Sequence, residues 1–292
     1  MRLFIIATLL FSTITFARAT ELNWVGCGIS KKAYMTELSK AYTEYSNVKI
    51  NLQGGGATRG IRDVAAGSAD FGGSCRYYLL NNEKEKSVGL EPVAWDALVV
   101  IVNKNNPVKN INFEQIHDLY LGKITNWKEL GGNDAPIELL TRKSKNSGVG
   151  HTIRKLIYSN LEQDFVSSKT YKSSGPLEKA VITNPLAIAI TGVSSARLRD
   201  VKILSLNDKS PDYRTIKAGR YALYRPLYIT YNANSPNIAA VKDFIKFVHS
   251  RTGRSIMKEN RVVPYLEALP LVMKQVEQDL RAQKYSSQDI TY

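Results

Sequence analysis

"LNWVGCGISKKAYMTEL", residues 22–38, runs from an apolar stretch through a glycine–cysteine–glycine turn straight into a helical pattern. "ELNWV" reads as a strand. Ser30 to Tyr45 reads as a helix whose stripe is Ala33, Leu38, Ala41 and Tyr45. A strand handed to a helix through glycines is the repeating unit of an α/β fold. The glycines let backbone approach a ligand, and the helix start offers free N–H groups and partial positive charge.

The unit recurs. "VKINLQ" is a strand followed by "GGGATRG" at 54–60 and a short helix, "IRDVAAGS". "ADFGGS" is a third strand, leading into "GGSCR" at 72–76. "KNSGVGHT" at 145–152 links the strand "APIELLTR" to the helix "HTIRKLIYSNL". In open α/β sheets such loops gather at the carboxyl ends of the strands, where ligands bind. Four of them point to one shared anion site; the alternative is that they are tight turns and nothing more. The remaining pattern is a long strand "PVAWDALVVIVNK", a helix "NFEQIHDLYLG", strands "AIAITG", "VKILSL" and "YRPLYITYN", and closing helices at 236–250 and 264–283, with a loose polar tail from Lys284. No repeat of fixed period is present.

The 292 residues suffice for a large core and for two domains. Residues 1–19 have Arg2, an apolar stretch from Leu3 to Phe16, and Ala17 and Ala19 about Arg18, the pattern of a cleaved secretory leader. The stretch is shorter than the roughly 20 residues of a membrane span. The net charge is +14; without Arg2 and Arg18, Lys+Arg falls to 38 against 26 Asp+Glu, or +12. That balance suits an anionic ligand, nucleic acid or an anionic membrane. Nothing resembles an aromatic–basic nucleic-acid motif, and no nucleic-acid partner is expected. The only histidines, His117, His151 and His249, come with no nucleophile and orienting acid, so no enzyme is expected.

Four stretches carry a resemblance: "IHDLYLGKITNWKELGGNDAPIELLTR" at 116–142, "QGGGATRGIRDVAAGSADFG", "AIAITGVSSA" and "YRPLYITYN". From about Asn23 to Leu280 the chain resembles the periplasmic phosphate-binding proteins of ABC uptake systems. The resemblance implies an α/β, two-lobed type II periplasmic-binding-protein fold with two crossover strands and a ligand cleft between the lobes. Lobe one would be 20–100 and 226–292, and lobe two 101–225. It also implies an exported, monomeric solute-binding protein that captures phosphate or a similar oxyanion for an ABC permease or a membrane sensor. No metal or cofactor is implied.

Matched residue by residue, the resemblance implies a ligand set of Ser30, Thr58, Arg59, Ser74, Cys75, Arg142, Ser147 and Gly148, with Arg76 a further source of charge. Ala57 and Val149 replace hydroxyl residues, and one extra residue separates Arg142 from Ser147. Cys75 stands where several members have aspartate. In this fold strand one lies between strands two and three, so the loops of Cys27 and Cys75 should be neighbours. An even cysteine count in an exported chain favours a Cys27–Cys75 disulfide at the floor of the cleft. Its reduction should lower stability and weaken anion binding only modestly, because the cradle donors would lie elsewhere. Alternatively, a free dithiol binds a thiophilic ligand such as arsenite, or the thiols are inert. A non-transport adhesion or signalling role on the same fold is the remaining alternative.

Overall fold

The structure is a computed structural model that describes residues 21–288, with side chains through Lys284; the leader read at 1–19 lies outside the described residues. Strand β1 (Glu21–Gly26) opens the fold, buried on both faces at its carboxyl end. It passes to α1 (Gly28–Ser30), a π-helical turn (Lys31–Met35) and α2 (Thr36–Ser46), which are continuous. The helix thus starts ahead of Ser30. Cys27, extended at φ −62° and ψ 128°, takes the N-cap position, and Lys31 N–H bonds its carbonyl at 2.9 Å. Then come β2 (Lys49–Gly54), α3 (Ala57–Ala65), β3 (Phe71–Ser74) and α4 (Glu83–Lys86). β1 lies between β2 and β3, parallel to both, with Gly26 beside Gly54 on one flank and Gly73 on the other. Three glycine-bearing strand ends therefore share one edge.

β4 (Gly89–Asn103) is fully buried from Val93 to Val102, which explains its unbroken apolar run. Up to Ala97 it pairs with β11; from Leu98 it pairs with β8. The chain crosses there into a second α/β half: β5 (Asn110–Ile111), α5 (Phe113–Tyr120), β6 (Glu138–Arg142), α6 (Gly148–Ile153), β7 (Lys169–Tyr171), α7 (Ser174–Thr183), β8 (Ala187–Gly192), α8 (Val193–Ala196), β9 (Val201–Ile203), β10 (Ser205–Leu206) and α9 (Tyr213–Lys217). β11 (Tyr224–Tyr231) returns, antiparallel to both β3 and β4. α10 (Ile238–His249), α11 (Arg251–Glu259), β12 (Val263–Pro264) and α12 (Pro270–Gln288) close the chain. α12 continues past Lys284, where the sequence reads as a loose tail. It packs back on the second half, with Arg281 over the Phe113 ring at 4.8 Å and Lys155 3.5 Å from Asp279.

The two halves are the lobes of the expected fold, joined by β4 and β11. β7 and α7 are additions to the sequence reading. "KSSGPLEKAVITN" has a serine–glycine–proline start that looks like loop, and only Leu177, Glu178 and Val181 of its later residues are buried. The stretch 116–142 has a structural explanation. Asn126 and Glu129 form a capping box, Trp127 is buried and donates to the Leu186 carbonyl at 3.1 Å, and Gly131 takes φ 78° to end the turn. Its turn frames lobe two away from the cleft, and only its last residue, Arg142, reaches the cleft wall.

Candidate ligand-binding cleft

A cavity of about 370 Å³ lies between the lobes. Lobe one supplies Cys27, Gly28, the Gly54–Ala57 loop, Cys75 and Lys32. Lobe two supplies Arg142, Gly148, the Lys172–Gly175 turn, Ser195 and Arg199. Four helix starts thus meet there, those of α1, α3, α6 and α7. α3 and α7 begin without a side-chain cap, which leaves their first N–H groups for another acceptor. Gly56 precedes α3 at φ +90°, a conformation other residues rarely adopt. Four cations and no carboxylate line the wall among the described residues. A larger cavity, about 680 Å³, lies on the other side of Cys75, walled largely by rings and aliphatic chains such as Tyr77, Tyr78, Leu80 and Tyr228. The smaller cavity is the one whose wall gathers helix starts and cations without a carboxylate.

Of the expected set, Cys75, Arg142 and Gly148 reach the wall. The others stand behind it. Ser30 is fully buried in the first helix. Thr58 donates to the Asn146 carbonyl at 3.1 Å, an inter-lobe bond. Arg59 lies along its own helix, 2.7 Å from Asp63. The Ser74 hydroxyl donates to the Arg76 carbonyl at 2.7 Å, and Ser147 caps α6 by accepting from Gly150 N–H at 3.0 Å. Arg76 forms a buried two-point pair with Glu85 at 2.8 and 3.0 Å and donates to the Asn146 carbonyl at 2.8 Å.

Arg142 donates to the carbonyl of Lys172 at 2.7 Å and to the Ser174 hydroxyl at 3.1 Å. It therefore holds the start of α7 against the cleft. Burial lowers its pKa, and the two cysteine sulfurs act in the opposite direction.

The wall also contains Lys32, Lys172, Ser173, Ser174, Ser195 and Arg199, which the sequence reading missed. Their organiser is Glu178, fully buried on α7. It accepts from Ser195 at 2.5 Å, Thr191 at 2.8 Å and Arg199 at 3.0 Å, and lies 3.4 Å from the Lys32 ammonium. The one signal for this region was "SSGP", serines ahead of a proline in a helix's first turn.

Cys27 and Cys75 are free thiols in this structure, both buried, with sulfurs 2.7 Å apart. The disulfide suggested by the sequence is not formed here, although the loops are neighbours. The Cys27 thiol is pulled down to about 6, first by the hydrogen bond from Cys75, then by Arg225 and the N–H groups of Ser30 and Ile29, against the opposing effect of burial. The same shared hydrogen bond and burial push Cys75 up. No cluster of three or more His, Cys, Asp or Glu suited to a metal occurs among the described residues, so the pair has no third protein ligand for a soft ion. His151, beside α6's start, is held down to about 4 by burial and by Arg76, Lys155 and Arg225.

Comparison with known proteins agrees with this architecture. Residues 28–252 match the model of the PBP superfamily domain, and the chain belongs to that family. It is 27% identical to the phosphate-binding protein PstS of Borreliella burgdorferi, over 80% of this chain and 87% of that one. It is 26% identical to the PstS of Bacillus subtilis, over 84% and 80%. An ABC-type phosphate transport receptor from Vibrio cholerae superposes with a TM-score of 0.63 at 27% identity, covering 83% of this chain and 99% of that one. A candidate phosphate ABC transporter substrate-binding protein from Clostridium perfringens, solved with bound phosphate, gives a TM-score of 0.70 at 27% identity, covering 84% and 99%.

Proposed function

We propose that this protein is an exported solute-binding protein whose lobes close on phosphate and present it to an ABC permease. The observation that carries this reading is the meeting of four helix starts and four cationic side chains in one cavity whose described wall has no carboxylate. Helix N–H groups and charge-assisted donors hold an oxyanion most strongly where water is excluded. Inter-lobe bonds flank the cavity on both sides, from Thr58 and Arg76 to Asn146 and from Lys32 to Ser195. Closing the lobes therefore completes the cradle.

In this reading Arg142, Gly148, Lys32 and the α7 start contact the anion. Ser30, Thr58, Ser74 and Ser147 shape the loops that present the N–H groups, and Arg59 takes no part. Residues 1–19 act as the export leader, residues 20–100 and 226–292 belong to lobe one, with α12 reaching across to pack on lobe two, and 101–225 form lobe two. The receptor works as a monomer outside the cytoplasm and binds without catalysing a reaction. Relatives named for phosphate binding support the choice of anion.

Titration calorimetry on the protein lacking residues 1–19 tests it. Phosphate should bind with one-to-one stoichiometry and more tightly than sulfate or molybdate. Absence of heat and of any melting shift at millimolar phosphate would overturn the reading.

A further inference from the structure

Two thiols face the anion cleft, and an anion receptor needs neither. The sequence reading placed the donors of the cradle on other residues, with the cysteines as a structural clasp. The geometry differs: both Cys27 and Cys75 belong to the cleft wall, in company with Arg142 and Gly148. Gly148 of lobe two sits so close to Cys75 that a Cβ there would overlap the sulfur. Closure therefore brings lobe two down on the cysteine pair at the point where the anion is held.

We propose that Cys27 and Cys75 form a reversible redox couple, and that oxidation to the disulfide raises the affinity of the cleft for its anion. The inference rests on the reading of the cleft as an anion site. In the reduced state the two sulfurs share a hydrogen bond at 2.7 Å, and the Cys27 sulfur faces the Ile29 and Ser30 N–H groups and Arg225; these favour Cys27 as the thiolate of the pair. Arg142 and Tyr34 also lie within electrostatic reach of the pair. A thiolate in the wall is a fixed negative charge that competes with the ligand for the helix N–H groups and for Arg142. The disulfide is neutral.

The oxidant is a peroxide, small enough for the cavity. The Cys27 thiolate attacks one peroxide oxygen, the O–O bond breaks, and hydroxide leaves to be protonated to water. The Cys75 sulfur then attacks the Cys27 sulfur of the sulfenic acid. The S–O bond breaks, and the departing hydroxide takes the Cys75 proton as a second water. The dithiol loses two electrons and the peroxide gains them. A disulfide reductant reverses the change by thiol exchange.

Phosphate calorimetry on the leaderless protein, with the thiol state read by alkylation and mass spectrometry, tests the proposal. Peroxide-oxidised protein should bind phosphate about tenfold or more tightly than dithiothreitol-reduced protein, since a like charge is removed at close range. Cys27→Ser should bind as the oxidised protein does even under reductant, because the charge is gone without a cross-link. By linkage, saturating phosphate should lower the reduction potential of the pair by about 30 mV for each tenfold difference. Equal phosphate affinity in the two verified states, or thiols that stay alkylatable after peroxide, would overturn the redox control and leave the anion site standing. Failure of both states to bind phosphate would remove the anion reading, and the redox control with it.

Discussion

Lys32, in the first helix of lobe one, donates to the hydroxyl of Ser195 in lobe two at 2.8 Å, and Ser195 passes the contact to Glu178 at 2.5 Å. One side chain thus connects the lobes along the edge of the cleft. Burial lowers the Lys32 pKa, and Glu178 opposes that effect.

Lys32→Ala should loosen the closed form and remove one cation from the cradle. A charge-assisted bond of this kind contributes about 1.5–3 kcal/mol where it is shielded. Phosphate affinity should fall about tenfold or more while the melting temperature of the free protein changes little. Calorimetry with small-angle scattering, with and without phosphate, checks both parts. An unchanged affinity would mean that the strap is incidental.

Arg142 is held by its fork as much as by its charge. Arg142→Lys keeps a cation but cannot reach both the Lys172 carbonyl and the Ser174 hydroxyl. The lysine variant should therefore lose affinity nearly as much as Arg142→Ala, at least about tenfold for each. Full rescue by lysine would show that charge alone matters at this position.

Gly148→Ala tests how closely the lobes meet. The added methyl group would overlap the Cys75 sulfur and come within 3.2 Å of the Ala57 methyl. Phosphate affinity should drop about tenfold or more through impaired closure. In a Cys75→Ala background the same substitution should cost distinctly less. A double-mutant cycle measures that coupling, and additive losses would refute it.

His151 predicts an acid-labile window. Its pKa falls from 6.5 to about 4 on folding, with burial the first cause and Arg76 the next. The unfolded chain therefore binds the proton more readily. The stabilisation is complete above pH 6.5 and is lost as pH falls towards 4, by an amount on the order of 3 kcal/mol. Urea unfolding across that range should show the loss, and His151→Gln should flatten it.

Much of the fold was legible because periodicity and glycine placement act locally. The apolar run of β4 read as a long strand, which the structure buries on both faces, and the glycine loops after β1, β2 and β3 do share one edge of the sheet. The start of the first helix was less legible. Cys27 caps it, because the chain turns helical directly after the extended cysteine, and the first-turn residue Ser30 is carried inside. α7 escaped notice since a serine–glycine–proline start suggests a turn and its buried face is narrow.

The sequence by itself determined the strand–glycine–helix units, the basic balance and the pair of cysteines in matching loops, because each depends on residues a few positions apart. The tertiary structure decided which groups line the cleft. Lys32 meets Glu178 across 146 positions and Arg76 meets Asn146 across 70, contacts that exist only when β4 and β11 set the lobes face to face. It also decided that serines 74 and 147 would spend their hydroxyls on the protein's own backbone. A hydroxyl enclosed by backbone bonds to the nearest backbone group. The cleft's wall is left to glycines, cations, two sulfurs and the serines of α7's start and of α8.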